Sequence, residues 1–313
     1  MTFLDSNNNH QFFSRITRIK STRLIIFCLL FISFRFQSKA QAEPDSTSLT
    51  REDSASIAEV FTPEYKQVDD KEILNIIDNM PVFGIYQDNY FITGIPINEA
   101  ITQHTADAKY QVSFRHRVTK TVLPLNTALF LTYTQRSFWN VYEESLPFKD
   151  SNFNPGIALS RHLTYKDKLW GIANVGFEHE SNGRDSIYSR SWNYLMGNVT
   201  YYLNGSISLT GKVWMGFLAE ENQDLFGYKG IGQLTFNYHS KDDFLYMSAT
   251  INPRKRGRVN TIVEVSIRPF ESMNQYVFLQ WYQGYAENLL NYNELTSKVR
   301  LGFCIKPTFR SFY

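Results

Sequence analysis

Long hydrophobic runs are missing from this 313-residue chain. A helix needs about 20 consecutive apolar residues to cross a bilayer, and the longest apolar stretch, Leu24–Phe34, has 11. With a mean hydropathy of −0.32, a bundle of membrane-spanning helices is excluded. A membrane β-barrel is not, because its strands alternate and average to a polar value. Cysteine is scarce: Cys28 and Cys304 only, with no Cys/His spacing of the zinc type and no glycine-rich phosphate loop. Net charge is also nearly absent, at +2. What the chain does have is 43% apolar residues and 16% aromatics, too many for a disordered polymer.

The small net charge hides two unlike parts. Residues 1–42 carry Arg15, Arg18, Lys20, Arg23, Arg35 and Lys39 against a single acid, Asp5. The 11-residue apolar run follows the basic region, and Ala40-Gln41-Ala42 makes a small-x-small cleavage pattern. This is the layout of an export signal; the alternative is a buried strand or short helix. Bulky Phe27 before Cys28 argues against a lipoprotein anchor. Without residues 1–42, 26 basic residues face 29 acidic ones, a net charge of −3. No basic surface is left to argue for nucleic acid. Only Cys304 remains, so no intrachain disulfide can form.

Residues 43–80 read as a polar, periplasmic N-terminal segment with a helical patch at Glu72–Met80. Residues 81–313 alternate. Leu129, Leu131 and Tyr133 share one parity; so do Leu209, Val213, Met215 and Phe217, and so do Val263, Val265 and Ile267. Strand side chains alternate between faces, so each run has one apolar and one mixed polar face. About twelve such runs occur, near 82–93, 110–118, 126–139, 154–163, 169–181, 191–203, 206–218, 230–240, 243–251, 259–268, 275–285 and 296–305. Tight connections (203–206, 240–243) contrast with long ones near 140–153, 219–229 and 286–295. That pattern predicts an all-β, twelve-stranded antiparallel transmembrane barrel of the outer-membrane type. Trp139, Trp170, Tyr201 and Tyr202 fall at strand ends, where amphipathic rings suit the bilayer interface. A soluble exported sandwich also alternates, but its strands are usually shorter.

Polar residues interrupt the apolar parity. His179 and Ser181 follow Ala173, Val175 and Phe177, and Asn193 precedes Leu195, Val199 and Tyr201. Antiparallel pairing through a loop at 184–190 brings Asn193 beside His179. On a lipid-facing surface such groups must bond one another or serve a function. Ser, His and Asn in this order can act as nucleophile, general base and orienter of the imidazole. A His-x-Ser pair alone is more often structural, so geometry must decide. Gln135 is a second polar residue among lipid-facing ones. It suits either an interchain hydrogen bond or anchoring at the bilayer edge. The basic run Arg254–Arg258 is a solvated loop or a contact for lipopolysaccharide phosphates. His116 shares parity with Val112 and Phe114, and His162 and His239 are expected at the interface.

His179-Glu180-Ser181-Asn182-Gly183-Arg184, followed by Ser189-Arg190-Ser191-Trp192-Asn193, resembles the signature of the outer-membrane phospholipase A family. Tyr133-Thr134-Gln135, Glu143-Glu144-Ser145 with Pro147-Phe148, and Gly284-Tyr285 with Tyr292-Asn293 extend the resemblance over most of 82–313. The resemblance implies calcium-dependent hydrolysis of phospholipid acyl esters at either sn position, and of lysophospholipids, in the outer membrane of a Gram-negative bacterium. It makes Ser181 the nucleophile, His179 the base and Asn193 its orienter, with the Gly183 amide at the oxyanion. Calcium would be held by the Arg184 carbonyl, the Ser189 hydroxyl and Ser145 of the partner subunit in a homodimer joined near Gln135. The rival expectation is a silent barrel acting as pore or scaffold.

Overall fold

Alternation becomes a closed sheet. This computed structural model describes residues 70–307 apart from Asp167, Ala219, Lys255, Arg256 and Glu271. The export signal, residues 43–69, the middle of the Arg254–Arg258 run and the last six residues lie outside the described residues. Helix α1 (Asp70–Asn79) precedes strands β1 (Phe83–Ile85), β2 (Asn89–Pro96), β3 (Asp107–Arg117), β4 (Ala128–Trp139), β5 (Phe148–Tyr165) and β6 (Lys168–Ser181). Then come β7 (Ser191–Tyr202), β8 (Ile207–Leu218), the short helix α2 (Leu225–Lys229), β9 (Gly232–His239), β10 (Leu245–Pro253), β11 (Val259–Ile267), β12 (Gln275–Gly284) and β13 (Thr296–Ile305). Each strand pairs antiparallel with the next, and β13 closes on β2. The result is a twelve-stranded antiparallel barrel, with β1 continuing the line of β2 along β3.

Several details differ from the pattern read in the sequence. The first strand is broken: β1 pairs Ile85 with Phe114, while β2 pairs Tyr90 with Gln111, so two extra residues bulge out between them. Backbone groups freed there are taken up locally, as where the Asn89 Oδ1 accepts from the Ser113 N–H. Strand β5 starts at Phe148, earlier than the periodicity suggests, and shortens the loop before it to 140–147. A register shift at Leu163/Thr164 turns Trp170 outward, where its ring meets Tyr201 at 5.9 Å in the aromatic belt. His162 is not interfacial: it is buried inside the barrel, on the parity of Ser160. The reason is the closed sheet itself, whose inward face must be filled by whatever that parity carries.

The filling is polar and paired. Arg300 Nε donates to Asp107 at 2.7 Å and its Nη1 to Glu287 at 2.6 Å; Lys109 reaches Glu287 at 3.1 Å and Lys298 reaches Asp107 at 2.7 Å. Trp192 stacks on Tyr194 with ring centroids 3.9 Å apart, and the Tyr194 hydroxyl donates to Glu178. A cavity of about 10 Å³ beside Tyr86, Arg115, Phe130 and Met196 is small even for one water. Around these pairs the lumen is filled by packed side chains. Outside, Val175, Phe177, Leu195, Val199, Val213 and Met215 are exposed, forming the apolar surface that lipid covers.

Helix α1 lies at the end where the tight turns gather. Ile77 and Met80 are buried there, and the Arg117 guanidinium donates to the carbonyls of Ile77, Asp78 and Met80. A cation capping the last turn complements the helix dipole and satisfies carbonyls that have no helical partner. Asp78 in turn accepts from the Thr121 N–H and hydroxyl at 2.8 and 2.9 Å. In barrels of this type tight turns face the periplasm and long loops the exterior, which puts loops 140–147, 182–190, 219–231 and 285–295 outside.

Candidate active site

Register brings the three predicted side chains together. His179 on β6 pairs with Asn193 on β7, and Ser181 pairs with Ser191, so all of them occupy the outward face. The alternation of burial through β6 and β7 is regular: Glu178, Glu180, Trp192 and Tyr194 point inward and are buried, while His179, Ser181 and Asn193 are half-buried on the outside. His179 Nδ1 and Asn193 Oδ1 are 2.9 Å apart. An amide oxygen only accepts, so Nδ1 carries the proton and Nε2 keeps its lone pair. Ser181 stands two residues further along the same face. Among the described residues its hydroxyl makes no hydrogen bond to His179; such bonds often tighten only when substrate is bound.

The strands behind the site hold it still. Ladder register sets His179 opposite Pro155 of β5, which has no N–H to donate. The Asn154 side-chain amide donates to the His179 carbonyl instead, at 2.9 Å. Inside the barrel, Glu180 accepts from Trp192 Nε1 at 2.8 Å and from Lys229 of α2 at 2.5 Å. These bonds tie β6 to β7 directly behind His179, Ser181 and Asn193. Burial alone would raise the pKa of Glu287 in the 285–295 loop, but Arg300 and Lys109 hold it down to about 2.

Beyond Ser181 the chain enters the loop 182–190. Gly183 is left-handed, with φ of +64°, and a Cβ on it would sit 3.1 Å from the Phe153 ring. Its N–H belongs to the second residue after Ser181. Arg184 donates to the Lys149 carbonyl at 2.6 Å, and its Nε lies 3.7 Å from Asp150. Asp150 is fully buried and also accepts from Asn152 and from the Leu290 N–H. Ser189 lies seven positions from Asn182 in the same loop, and Ser145 is exposed in loop 140–147. Arg184 and Ser189 thus supply a carbonyl and a hydroxyl from one loop. These are hard oxygen donors of the kind calcium takes, too few to fill its shell without water or another chain. Among the described residues no cluster of three His, Cys, Asp or Glu suits a metal ion.

Gln135 lies on the same outward row. It pairs with Phe153, and Phe153 pairs with Ser181. Two strand spacings of about 4.8 Å put it roughly 10 Å from the serine. Its amide already has partners in its own chain: Nε2 donates to Ser137 at 3.2 Å and to Tyr110 at 3.5 Å, and Oε1 accepts from Tyr133 at 3.2 Å. One lone pair on Oε1 remains for another chain. Sequence reading passed over Asn154, Asp150 and Asn182, which act through backbone groups. Only the odd placement of a polar residue on a buried parity hinted at them.

Residues 80–305 match the family model described as phospholipase A1. Phospholipase A1 of Escherichia coli K12 is 29% identical over 211 residues, covering 65% of this chain and 71% of that protein. Its counterpart in Salmonella typhimurium is 29% identical over 250 residues, 74% of this chain and 84% of that one. The solved outer membrane phospholipase A from Escherichia coli superposes with a TM-score of 0.64 at 26% identity, over 72% of this chain and 92% of that chain. A Salmonella typhi outer membrane phospholipase dimer with bound calcium gives the same TM-score, identity and coverage. With the family model spanning the whole barrel and the solved relative sharing its fold, this chain belongs to the phospholipase A1 family of outer-membrane phospholipid ester hydrolases.

Proposed function

We propose that the protein is a calcium-dependent, dimerisation-activated phospholipase A in which Ser181, His179 and Asn193 form the catalytic triad. The observation that carries this reading is the His179–Asn193 hydrogen bond on the lipid-facing surface, two residues from a serine. Polar groups placed there against their solvation cost call for a chemical purpose. Export by residues 1–42 is part of the same reading.

The chemistry follows from the residues. Ser181 Oγ attacks the acyl carbonyl carbon of a phospholipid in the outer leaflet while its proton passes to His179 Nε2. Asn193 accepts from Nδ1 and stabilises the imidazolium. The Gly183 N–H receives the negative oxygen of the tetrahedral intermediate. Collapse breaks the ester C–O bond, and the departing lysophospholipid oxygen takes the proton from His179. Water, deprotonated by the same imidazole, then hydrolyses the acyl-serine to a fatty acid. Esters at sn-1 and sn-2 and those of lysophospholipids are the substrates the family resemblance implies. The Arg184 carbonyl and Ser189 hydroxyl would hold calcium, completed by water and by Ser145 of the partner subunit. Bound there, the ion supplies positive charge beside the oxyanion. A homodimer meeting along the Gln135 row places the partner's apolar surface beside Ser181.

The test is phospholipid hydrolysis by refolded protein in micelles. Ser181→Ala and His179→Ala should each abolish turnover while the heat-modifiable electrophoretic mobility of a folded barrel persists. Wild-type rates in either variant would overturn the triad. Chelating calcium should silence the enzyme reversibly, and activity in excess chelator would overturn the metal dependence.

A further inference from the structure

One side chain closes the whole 182–190 loop from within. Asn182 directly follows Ser181 and is 4% exposed. Its Oδ1 accepts from the Arg190 N–H at 3.0 Å and from the Arg184 N–H at 3.4 Å. Its Nδ2 donates to the Tyr188 carbonyl at 2.9 Å, and its own N–H donates to the Arg190 carbonyl at 3.0 Å. The amide therefore spends most of its bonding capacity on the main chain of one loop. Inside the span it closes lie the left-handed Gly183, the Arg184 carbonyl and the Ser189 hydroxyl.

We propose that Asn182 is a positioning residue that sets the geometry of the calcium oxygens and the Gly183 amide, and so determines calcium affinity. The inference rests on the calcium-dependent reading above. Its physical basis is a division of labour between strand and loop. Ser181, His179 and Asn193 are placed by the β6–β7 ladder, which pairs Ser181 with Ser191 and His179 with Asn193. That ladder owes nothing to the Asn182 side chain. Arg184 and Ser189 lie beyond it, where the main chain is ordered by the Asn182 bonds and by the turn at Ser186–Tyr188. No shorter side chain spans from Arg190 N–H to Tyr188 carbonyl, so truncation leaves both groups without their partner. Outer-shell partners of metal ligands typically change affinity by about 10- to 100-fold when removed.

Calorimetric titration of calcium into the refolded full-length chain in micelles, with heat-modifiable mobility checked for each variant, tests this. Asn182→Ala should weaken calcium binding by at least about tenfold and raise the calcium concentration for half-maximal activity in step. Asn182→Asp, which keeps the acceptor for Arg190 but loses the donor to Tyr188, should fall between, and it decides the matter if the alanine variant does not fold. Ser181→Ala should bind calcium like the wild type. Wild-type calcium affinity in every Asn182 variant that folds would overturn this inference alone. A wild-type protein that hydrolyses phospholipid without binding calcium would overturn the calcium reading and this inference with it.

Discussion

Removing the Asn193 side chain tests the proposed triad at the hydrogen bond between His179 and Asn193. In Asn193→Ala the 2.9 Å bond to His179 Nδ1 is lost, while the β6–β7 ladder that carries both residues is main-chain and stays. Between a neutral imidazole and the amide the bond is worth about 0.5–1.5 kcal/mol. In the transition state the imidazole is charged, and the same bond is worth about 1.5–3 kcal/mol. Only the difference of about 1–1.5 kcal/mol acts on kcat, which should fall about 5- to 12-fold, at about 1.4 kcal/mol per decade. KM should change little, because the amide points at His179 and away from bound lipid. Loss of the nucleophile or base costs far more, on the order of 10⁶ in a serine hydrolase. The assay is steady-state hydrolysis of a phospholipid in mixed micelles at saturating calcium, with kcat and KM separated. Undiminished kcat would refute the orienting role. A loss as complete as that of Ser181→Ala would also refute it, because an orienter alone cannot account for six decades.

Other perturbations follow from the same geometry. Gly183→Ala forces a Cβ to 3.1 Å from the Phe153 ring at a φ of +64°; the strain is about 1–2 kcal/mol, and hydrolysis should fall sharply while the barrel still folds. Gln135→Ala should weaken dimerisation in detergent by about 0.6–2 kcal/mol, read by sedimentation equilibrium. The effect is modest because the amide already bonds within its own chain. Arg300→Ala leaves Asp107 and Glu287 without their shared cation, and urea unfolding should show a loss of about 3–5 kcal/mol. Burial would lift the Glu287 pKa, but Arg300 and Lys109 depress it from 4.5 to about 2. A depressed carboxyl stabilises the fold above its unfolded pKa, so this contribution should be intact above pH 4.5 and fade as pH falls toward 2. Acid unfolding midpoints of the wild type and Glu287→Gln compare it directly.

The parity of apolar residues was legible because a strand side chain has only two faces to choose from. It located the outward rows and exposed His179, Ser181 and Asn193 as misplaced polar groups. It could not place the bulge between β1 and β2, the early start of β5 or the shift at Leu163/Thr164. Those depend on how twelve strands are sheared into one closed circuit, a global condition that no single segment records. His162 illustrates the consequence: near a strand end in sequence, it lies within the lumen once the register is settled.

Local chemistry by itself determined the strand count, the lipid-facing parity and the identity of the three polar residues that break it. All of that rests on short-range alternation and on spacing within about fifteen residues. Tertiary structure alone decided that Arg300 meets Asp107 and Glu287 across the lumen and that Asp150 reaches Leu290 in a distant loop. It also decided that Gln135 and Ser181 share one row. These partners come from different strands and loops, and only closure of the barrel, which removes every sheet edge and fills the interior, brings them within bonding distance.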